Sequence, residues 1–282
     1  MFNTVRSKQV ITIAAMLALV GFLFTREVKG LVKPNEDSKP AATSNMPSFS
    51  IDEASAIGMA SISANLAKDI TILESAYKNA SSGAEQVTQA KQLAQKWDDV
   101  EQPTPSAMYL EVIANNEPAL SNWLAAGTRF LKAFDNSVDS LVRSSLLQKA
   151  NTSFTKAMAL DSTNLEAKTG LGITIVNGMG APMQGIMMLR EVVEKEPKNL
   201  KANMNLGVFA IKSGQFDKAI IRFNTIIKTI EETPDAYFYL GRAYESLGNK
   251  TEAIDAYLNS KKLAANPTFS SFIDKKVAEL KN

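Results

Sequence analysis

Residues 200–233 read LKANMNLGVFAIKSGQFDKAIIRFNTIIKTIEET, and residues 234–267 read PDAYFYLGRAYESLGNKTEAIDAYLNSKKLAANP. The two stretches keep one register: Gly207 returns as Gly241, Gly214 as Gly248 and Ala219 as Ala253, each at an interval of 34 residues. Apolar residues recur at helical steps on both sides of Gly214 and Gly248, so each stretch reads as two amphipathic helices joined by a tight turn. A lone hairpin of this size cannot bury its apolar face, whereas stacked neighbours bury a continuous core and leave one curved surface open. The interval therefore predicts an all-α fold, a stack of antiparallel helix pairs. Gly207 and Gly241 fall inside helices, where glycine costs ~1 kcal/mol relative to alanine. Close approach of a neighbouring helix is the expected reason, with Ala219 and Ala253 on the facing helix and Phe223 and Tyr257 filling the groove between hairpins.

These residues resemble the tetratricopeptide repeat (TPR) family, whose pattern places Trp-x2-Leu-Gly-x2-Tyr on a first helix and Ala-x3-Phe-x2-Ala on a second; the resemblance implies a right-handed superhelical stack of antiparallel helix pairs, a TPR-like α-solenoid. The 234–267 unit matches with Tyr237, Leu240, Gly241, Tyr244, Ala253, Tyr257 and Ser260, and the 200–233 unit with Leu206, Gly207, Ala219, Phe223 and Ile226. An earlier unit, 165–199, carries Leu171, Gly172, Gly185, Leu189 and Pro197, with one additional residue assigned to the turn at 178–182. Asn203 and Lys168 depart from the aromatic that the pattern places four residues before the helical glycine. A divergent unit spans 118–164, with Trp123, Ala126, Gly127 and Phe130 on its first helix and Ala150, Phe154 and Ala157 on its second. Its halves lie about 11 residues too far apart for the repeat, which calls for extension of one or both helices around residues 135–137.

Upstream, residues 51–117 read as further helices, of which residues 83–117 resemble the repeat only as a helix pair. Ser50 and Glu53 have capping-box spacing, and Ile62, Leu66, Ile70, Leu73 and Tyr77 predict one long helix ending near residue 82. A second helix is expected to run to Asp99, and a third to follow Pro103 and Pro105 as far as Asn116. Residues 268–282 read as a capping helix with Phe269, Phe272, Ile273, Val277 and Leu280 on its apolar side. At the other end, residues 10–24 (VITIAAMLALVGFLF) carry no charge and have basic residues on both flanks. Such a run rises only ~22 Å as a helix against a hydrocarbon core of ~30 Å, a mismatch that Lys8 and Arg26 can relieve by snorkelling. We read residues 1–25 as a transmembrane signal-anchor, with a cleaved leader as the alternative, although small residues suited to cleavage are missing after Phe24. Arg6 and Lys8 favour a cytoplasmic N-terminus, while Arg26, Lys29 and Lys33 argue the reverse. The expectation is a single-pass protein of the inner (plasma) membrane whose repeats face the extracytoplasmic side. Residues 26–50, with Pro34, Pro40 and Pro47 and few large apolar groups, read as a disordered linker.

Composition removes several chemistries. The 282 residues include no cysteine and no histidine, which excludes disulfides, thiolate or imidazole metal sites, and Ser-His or Cys-His catalysis. The net charge of +2 arises near the N-terminus, since residues 51–282 hold 25 basic and 26 acidic side chains; no nucleic-acid footprint is expected. No phosphate loop, dinucleotide fingerprint or nucleophile elbow is present, and Asp98, Asp99 and Glu101 read as a solvated helix end. No catalytic residue, cofactor or metal is assigned. Met179, Met183, Met187 and Met188 are expected to fill the core, with an adaptable contact surface as the alternative.

The expected function is that of a membrane-anchored scaffold or adaptor that binds a protein or peptide. The resemblance implies that the first helix of each repeat lines the groove, at Thr169, Ile173, Val176 and Asn177 in one unit, Lys201, Met204, Val208 and Ile211 in the next, and Phe238, Arg242 and Glu245 in the last; Glu166, Lys212, Asp235 and Ser246 extend this face. A self-associating structural scaffold, a homo-oligomer in the cell envelope, is the alternative, and a carboxylate-dependent hydrolase a minor one.

Overall fold

The computed structural model describes residues 49–281, which form thirteen α-helices and, among the described residues, no strand. The apolar segment at 10–24 and most of the linker reading lie outside these residues. Among the described residues, no helix is long and apolar enough to cross a membrane.

The helices are α1 (Ile51–Met59), α2 (Ala64–Lys78), α3 (Gly83–Asp99), α4 (Pro103–Asn116), α5 (Leu120–Asn136), α6 (Ser140–Leu160), α7 (Leu165–Gly178), α8 (Pro182–Lys195), α9 (Leu200–Lys212), α10 (Phe216–Thr229), α11 (Pro234–Ser246), α12 (Lys250–Leu263) and α13 (Pro267–Lys281). Their starts follow from local chemistry. The Ser50 and Glu53 side chains each satisfy the other's backbone N–H in a capping box, and the side chains of Asn164, Asn199 and Thr233 accept from the N–H groups of Ala167, Ala202 and Ala236 at 2.8, 2.9 and 3.1 Å. These caps satisfy donors that a helix leaves open at its N-terminus. The turns close on Gly180, Gly214 and Gly248, whose φ values of 74, 72 and 78° suit glycine alone without strain.

Packing explains the helical glycines. A Cβ on Gly207 would stand 2.6 Å from Cζ of Phe223, and one on Gly241 would stand 2.8 Å from Cδ1 of Tyr257. Both rings are fully buried. In the divergent hairpin the Phe154 ring occupies the same kind of notch twice over, at Gly127 of its own hairpin and at Gly170 of the next. The 165–199 unit uses Leu189 against Gly172, and Gly185 against the Gly172 carbonyl.

These contacts survive changes in hairpin length. Helix α5 has 17 residues against 13 in α9, and α6 has 21 against 14 in α10. The two helices thus take up four and seven residues, the whole excess of the divergent unit. Four and seven residues are close to one and two helical turns, so each helix is lengthened without rotating its apolar face. The additional residue of the 165–199 unit lies in α7, which has 14 residues and includes Gly178, not in the turn that follows.

The single helix expected from Ser50 to residue 82 is instead two, α1 and α2, separated at residues 60–63. Their main neighbours differ. Helix α1 packs on α4 and also reaches α3, where Gly58 lies beneath the Trp97 indole and a Cβ would meet Cζ3 at 2.6 Å. Helix α2 packs on α3 through the buried Ile70. One straight helix cannot lie in both directions, and Ser63, with extended backbone at φ −69° and ψ 154°, makes the corner. Buried side chains then run through successive clusters, from Trp97 and Tyr109, through Phe130, Leu146 and Phe154, to Phe223 and Ile226, and finally Tyr257 and Ile273.

Two substitutions test the ring-on-glycine contact. Phe154→Ala should cost about 3–5 kcal/mol, the usual loss for a buried aromatic. Gly207→Ala should lower stability by about 1–3 kcal/mol through overpacking, although the alanine has the better helix propensity. Urea unfolding followed by circular dichroism measures both, and a Gly207→Ala protein more stable than the parent would refute the packing reason for that glycine.

Candidate functional site

The first helices of the hairpins, α5, α7, α9 and α11, carry the residues expected to face a groove. On α9, Lys201, Met204, Val208 and Ile211 are half-buried, with Lys212 exposed. Lys212 Nζ donates to Asn177 Oδ1 of α7 at 3.2 Å and lies 5.3 Å from the Phe209 ring centroid. Asn177 is held in place by its own Nδ2, which donates to the Ile173 carbonyl at 3.0 Å. On α11, Arg242 is exposed and its guanidinium lies 5.8 Å from the centroid of Tyr239, whose ring stacks on Phe223. A cavity of about 510 Å³ opens at the N-terminal ends of α7 and α9, lined by Asn164, Glu166, Thr169, Glu196, Asn199 and Lys201 among others.

Asp135, which was not assigned to the site from the sequence, belongs to this face. It stands in the last turn of the lengthened α5 and interacts electrostatically with Lys201 and Lys212 of α9 and with Tyr239 of α11. Burial pushes its carboxyl above the ordinary 3.8, against the pull of Arg143, Lys201 and Lys212. Its side chain is nevertheless open to solvent. The desolvation of this carboxyl is therefore partial. Lys201 has the complementary perturbation: burial lowers its pKa from 10.5, opposed by Glu166 and Asp135. The helix extension was legible from the spacing of the divergent unit; Asp135 was missed because the repeat pattern has no position for a residue beyond the normal helix end.

Other assigned residues are withdrawn from the open face. Thr169 and Ile173 are only 1% and 6% exposed, Thr169 turning its hydroxyl back to the Leu165 carbonyl and Ile173 joining the largest apolar cluster. Glu245 accepts from Tyr257 Oη at 2.5 Å and from Lys276 Nζ of α13 at 2.7 Å. Burial alone would raise its pKa, but Lys276 and Tyr257 outweigh it and hold the carboxyl below the ordinary value. Phe238 sits in an aromatic group with Tyr239, Tyr257, Phe269 and Phe272, two of them from α13. The terminal helix thus engages the last repeat where the sequence placed a partner. Val176, half-buried against the first cluster, stays at the edge of the face. The methionines also depart from expectation: Met179, Met183 and Met187 are 36%, 66% and 59% exposed, because they lie on the outer side of α8 and its preceding turn, away from Gly185 and Leu189. Asp98 pairs with Arg129 at 2.6 Å.

Comparison with known proteins places this geometry. Residues 210–267 match the tetratricopeptide repeat family. Those residues run from the end of α9 through α12, the part in which the 34-residue register is most regular. A stretch of 120 residues, 42% of the chain, is 32% identical to anaphase-promoting complex subunit 3 of Dictyostelium discoideum, and spans 12% of that protein. The chain also superposes on a tetratricopeptide repeat protein from Parabacteroides merdae with a TM-score of 0.57, over 86% of this chain and 87% of that one at 12% identity. PilW, described as a widely conserved type IV pilus biogenesis factor, superposes with a TM-score of 0.53 over 69% of this chain and 85% of its own, at 17% identity. These likenesses show a TPR-like solenoid fold.

The two perturbed charges make a signed prediction. For Asp135 the folded pKa lies above the unfolded one, so its charged form opposes folding and stability falls as pH rises past 3.8. Asp135→Asn should therefore unfold at higher denaturant than the parent at pH 7, with the difference shrinking below pH 4. For Lys201 the folded pKa lies below 10.5, so Lys201→Met should also be more stable at pH 7. A loss of stability at neutral pH in both variants would contradict the desolvation of this face.

Proposed function

We propose that the chain is a non-enzymatic scaffold that binds a protein or peptide partner on the face formed by α5, α7, α9 and α11. The observation that carries this reading is the electrostatic meeting of Asp135 of α5 with Lys201 and Lys212 of α9 and Tyr239 of α11, joined to α7 by the Lys212–Asn177 hydrogen bond, on the helix that also carries the half-buried Met204, Val208 and Ile211. Apolar seats bordered by partly desolvated charges of both signs suit a peptide that brings its own complementary charges. Asp135 and Lys201 carry charge against the preference of their surroundings, and a partner that neutralises them relieves that cost. Such residues are retained for binding at the expense of stability. Scaffolding is the general work of tetratricopeptide repeat proteins, the family that residues 210–267 match, and this supports the reading.

The proposal extends to the membrane. Residues 1–25 serve as a single-pass anchor in the inner (plasma) membrane, residues 26–50 as a tether, and the repeats work on the extracytoplasmic side. The uncharged run at 10–24 with its basic flanks supports this reading.

A second reading, self-association, is favoured by the N-terminal end of the helical unit, where Ile57, Leu66 and Ile72 are 45%, 38% and 60% exposed. Unpaired apolar surface at a solenoid end is where a second copy can stack. Light scattering across a concentration series separates the readings, since a concentration-independent monomer excludes stacking.

Affinity capture from native membranes tests the first reading. Lys201→Glu/Arg242→Glu should reduce the yield of specific co-purifying proteins at least tenfold while preserving the helical circular dichroism spectrum. Equal capture by parent and variant would remove the concave face from the interaction.

A further inference from the structure

A second surface lies on the other side of α9. Asn203, Leu206 and Ala210 project from α9 into a groove of about 660 Å³ whose walls are α8 and α10. Lys201, Met204 and Val208, which belong to the partner face proposed above, leave α9 in another direction. The groove is apolar along its floor and walls, with Ile186, Val193, Leu206 and Phe209, and its rim carries the exposed Met183 and Ile221, at 66% and 67%.

The register of the repeats explains why the groove exists. Four residues before each helical glycine stand Trp123, Lys168, Asn203 and Tyr237. In the divergent unit the indole is buried and lies 4.0 Å from Lys156 Nζ; in the 165–199 unit the Lys168 stem is covered and its ammonium pairs with Glu191 at 2.9 Å. Asn203 is the shortest side chain of the four. It is 3% exposed, and its Nδ2 donates to the carbonyls of Pro197 and Asn199 while its Oδ1 accepts from Arg222 Nη1 at 2.6 Å. The missing ring leaves volume, and the amide fixes a guanidinium at the edge of it.

Charge decides the occupant. The groove is lined by Arg190, Lys218 and Arg222 and by no carboxylate. Lys218 is occupied with Gln215 at 2.7 Å, whereas neither arginine makes an ion pair among the described residues. Burial, and after it the charge of Arg190, lowers the pKa of Arg222, so the two cations share a partly desolvated site. Guanidinium forks take carboxylates in bidentate geometry, and the methionine at the rim is a side chain that adapts to varied apolar partners.

We propose that this groove docks a carboxylate-bearing amphipathic segment of a second protein, its apolar side chains seated on Ile186, Leu206 and Phe209 and an acidic side chain held between Arg190 and Arg222. The segment binds independently of the concave face, which gives the scaffold two partner surfaces in one pair of repeats.

The test is selection of a random twelve-residue peptide library on the full chain in detergent micelles. Enriched peptides should contain Asp or Glu above the input frequency together with spaced apolar residues. Their affinity, measured by fluorescence polarisation, should fall at least tenfold on Arg190→Ala and on Asn203→Tyr, which restores a ring at the vacant register, and should be unchanged on Lys201→Ala. Arg190 is exposed, so its variant retains the fold even where Asn203→Tyr does not. Failure to select peptides, enrichment without acidic residues, or full affinity on Arg190→Ala overturns the proposal. So does a dimer, seen by light scattering, that Arg190→Ala dissolves, because the occupant would then be a second copy. Loss of binding on Lys201→Ala with retention on Arg190→Ala would place the peptides on the concave face instead.

Discussion

The structure depends on a ring pressed into the place of a missing Cβ. Phe223 on Gly207, Tyr257 on Gly241 and Phe154 on Gly127 are one contact repeated, and Leu189 with Gly172 and Gly185 is its aliphatic form. Interiors are packed as densely as organic crystals, so a fully buried ring with no room for one additional carbon fixes the distance between two helices. That fixed distance closes each hairpin, and Phe154 on Gly170 carries the same contact to the next one. Helix propensity loses at these positions because the packing term is several times larger.

The same contact explains how the chain tolerates irregular repeats. Sixteen residues separate Gly207 from Phe223, seventeen separate Gly172 from Leu189, and twenty-seven separate Gly127 from Phe154. The ring still meets its glycine in the longest case because the excess is divided into near-integral turns on α5 and α6. The added length has a functional result. It carries Asp135 beyond the end of an ordinary first helix, into the electrostatic reach of Lys201, Lys212 and Tyr239. A feature that looks like decay of the repeat supplies part of the proposed binding face.

The fold was legible where local signals and packing agree. The glycine interval, the cap residues and the spacing of Trp123 from Phe154 report contacts within a hairpin or between immediate neighbours, which is the range that a periodic sequence encodes. The corner between α1 and α2 was not, because Ile62, Leu66 and Ile70 keep helical spacing through it; only the positions of α3 and α4, far along the chain, impose the bend. The site was less legible than the fold for a related reason. Pattern positions assume one solenoid surface, but α13 closes over Phe238 and engages Glu245, and the interior takes Thr169 and Ile173. Asn203 shows the converse: its departure from an aromatic pattern was visible, while the groove it opens required the neighbouring helices.

The proposed function rests on which surface meets a partner. A photo-activated cross-linking amino acid at position 208, on the concave side of α9, is compared in native membranes with one at position 255, exposed on α12 and part of neither proposed surface. Adducts of defined mass with another polypeptide are expected from position 208 and not from 255. Adducts from 255 with none from 208 would contradict a concave binding face.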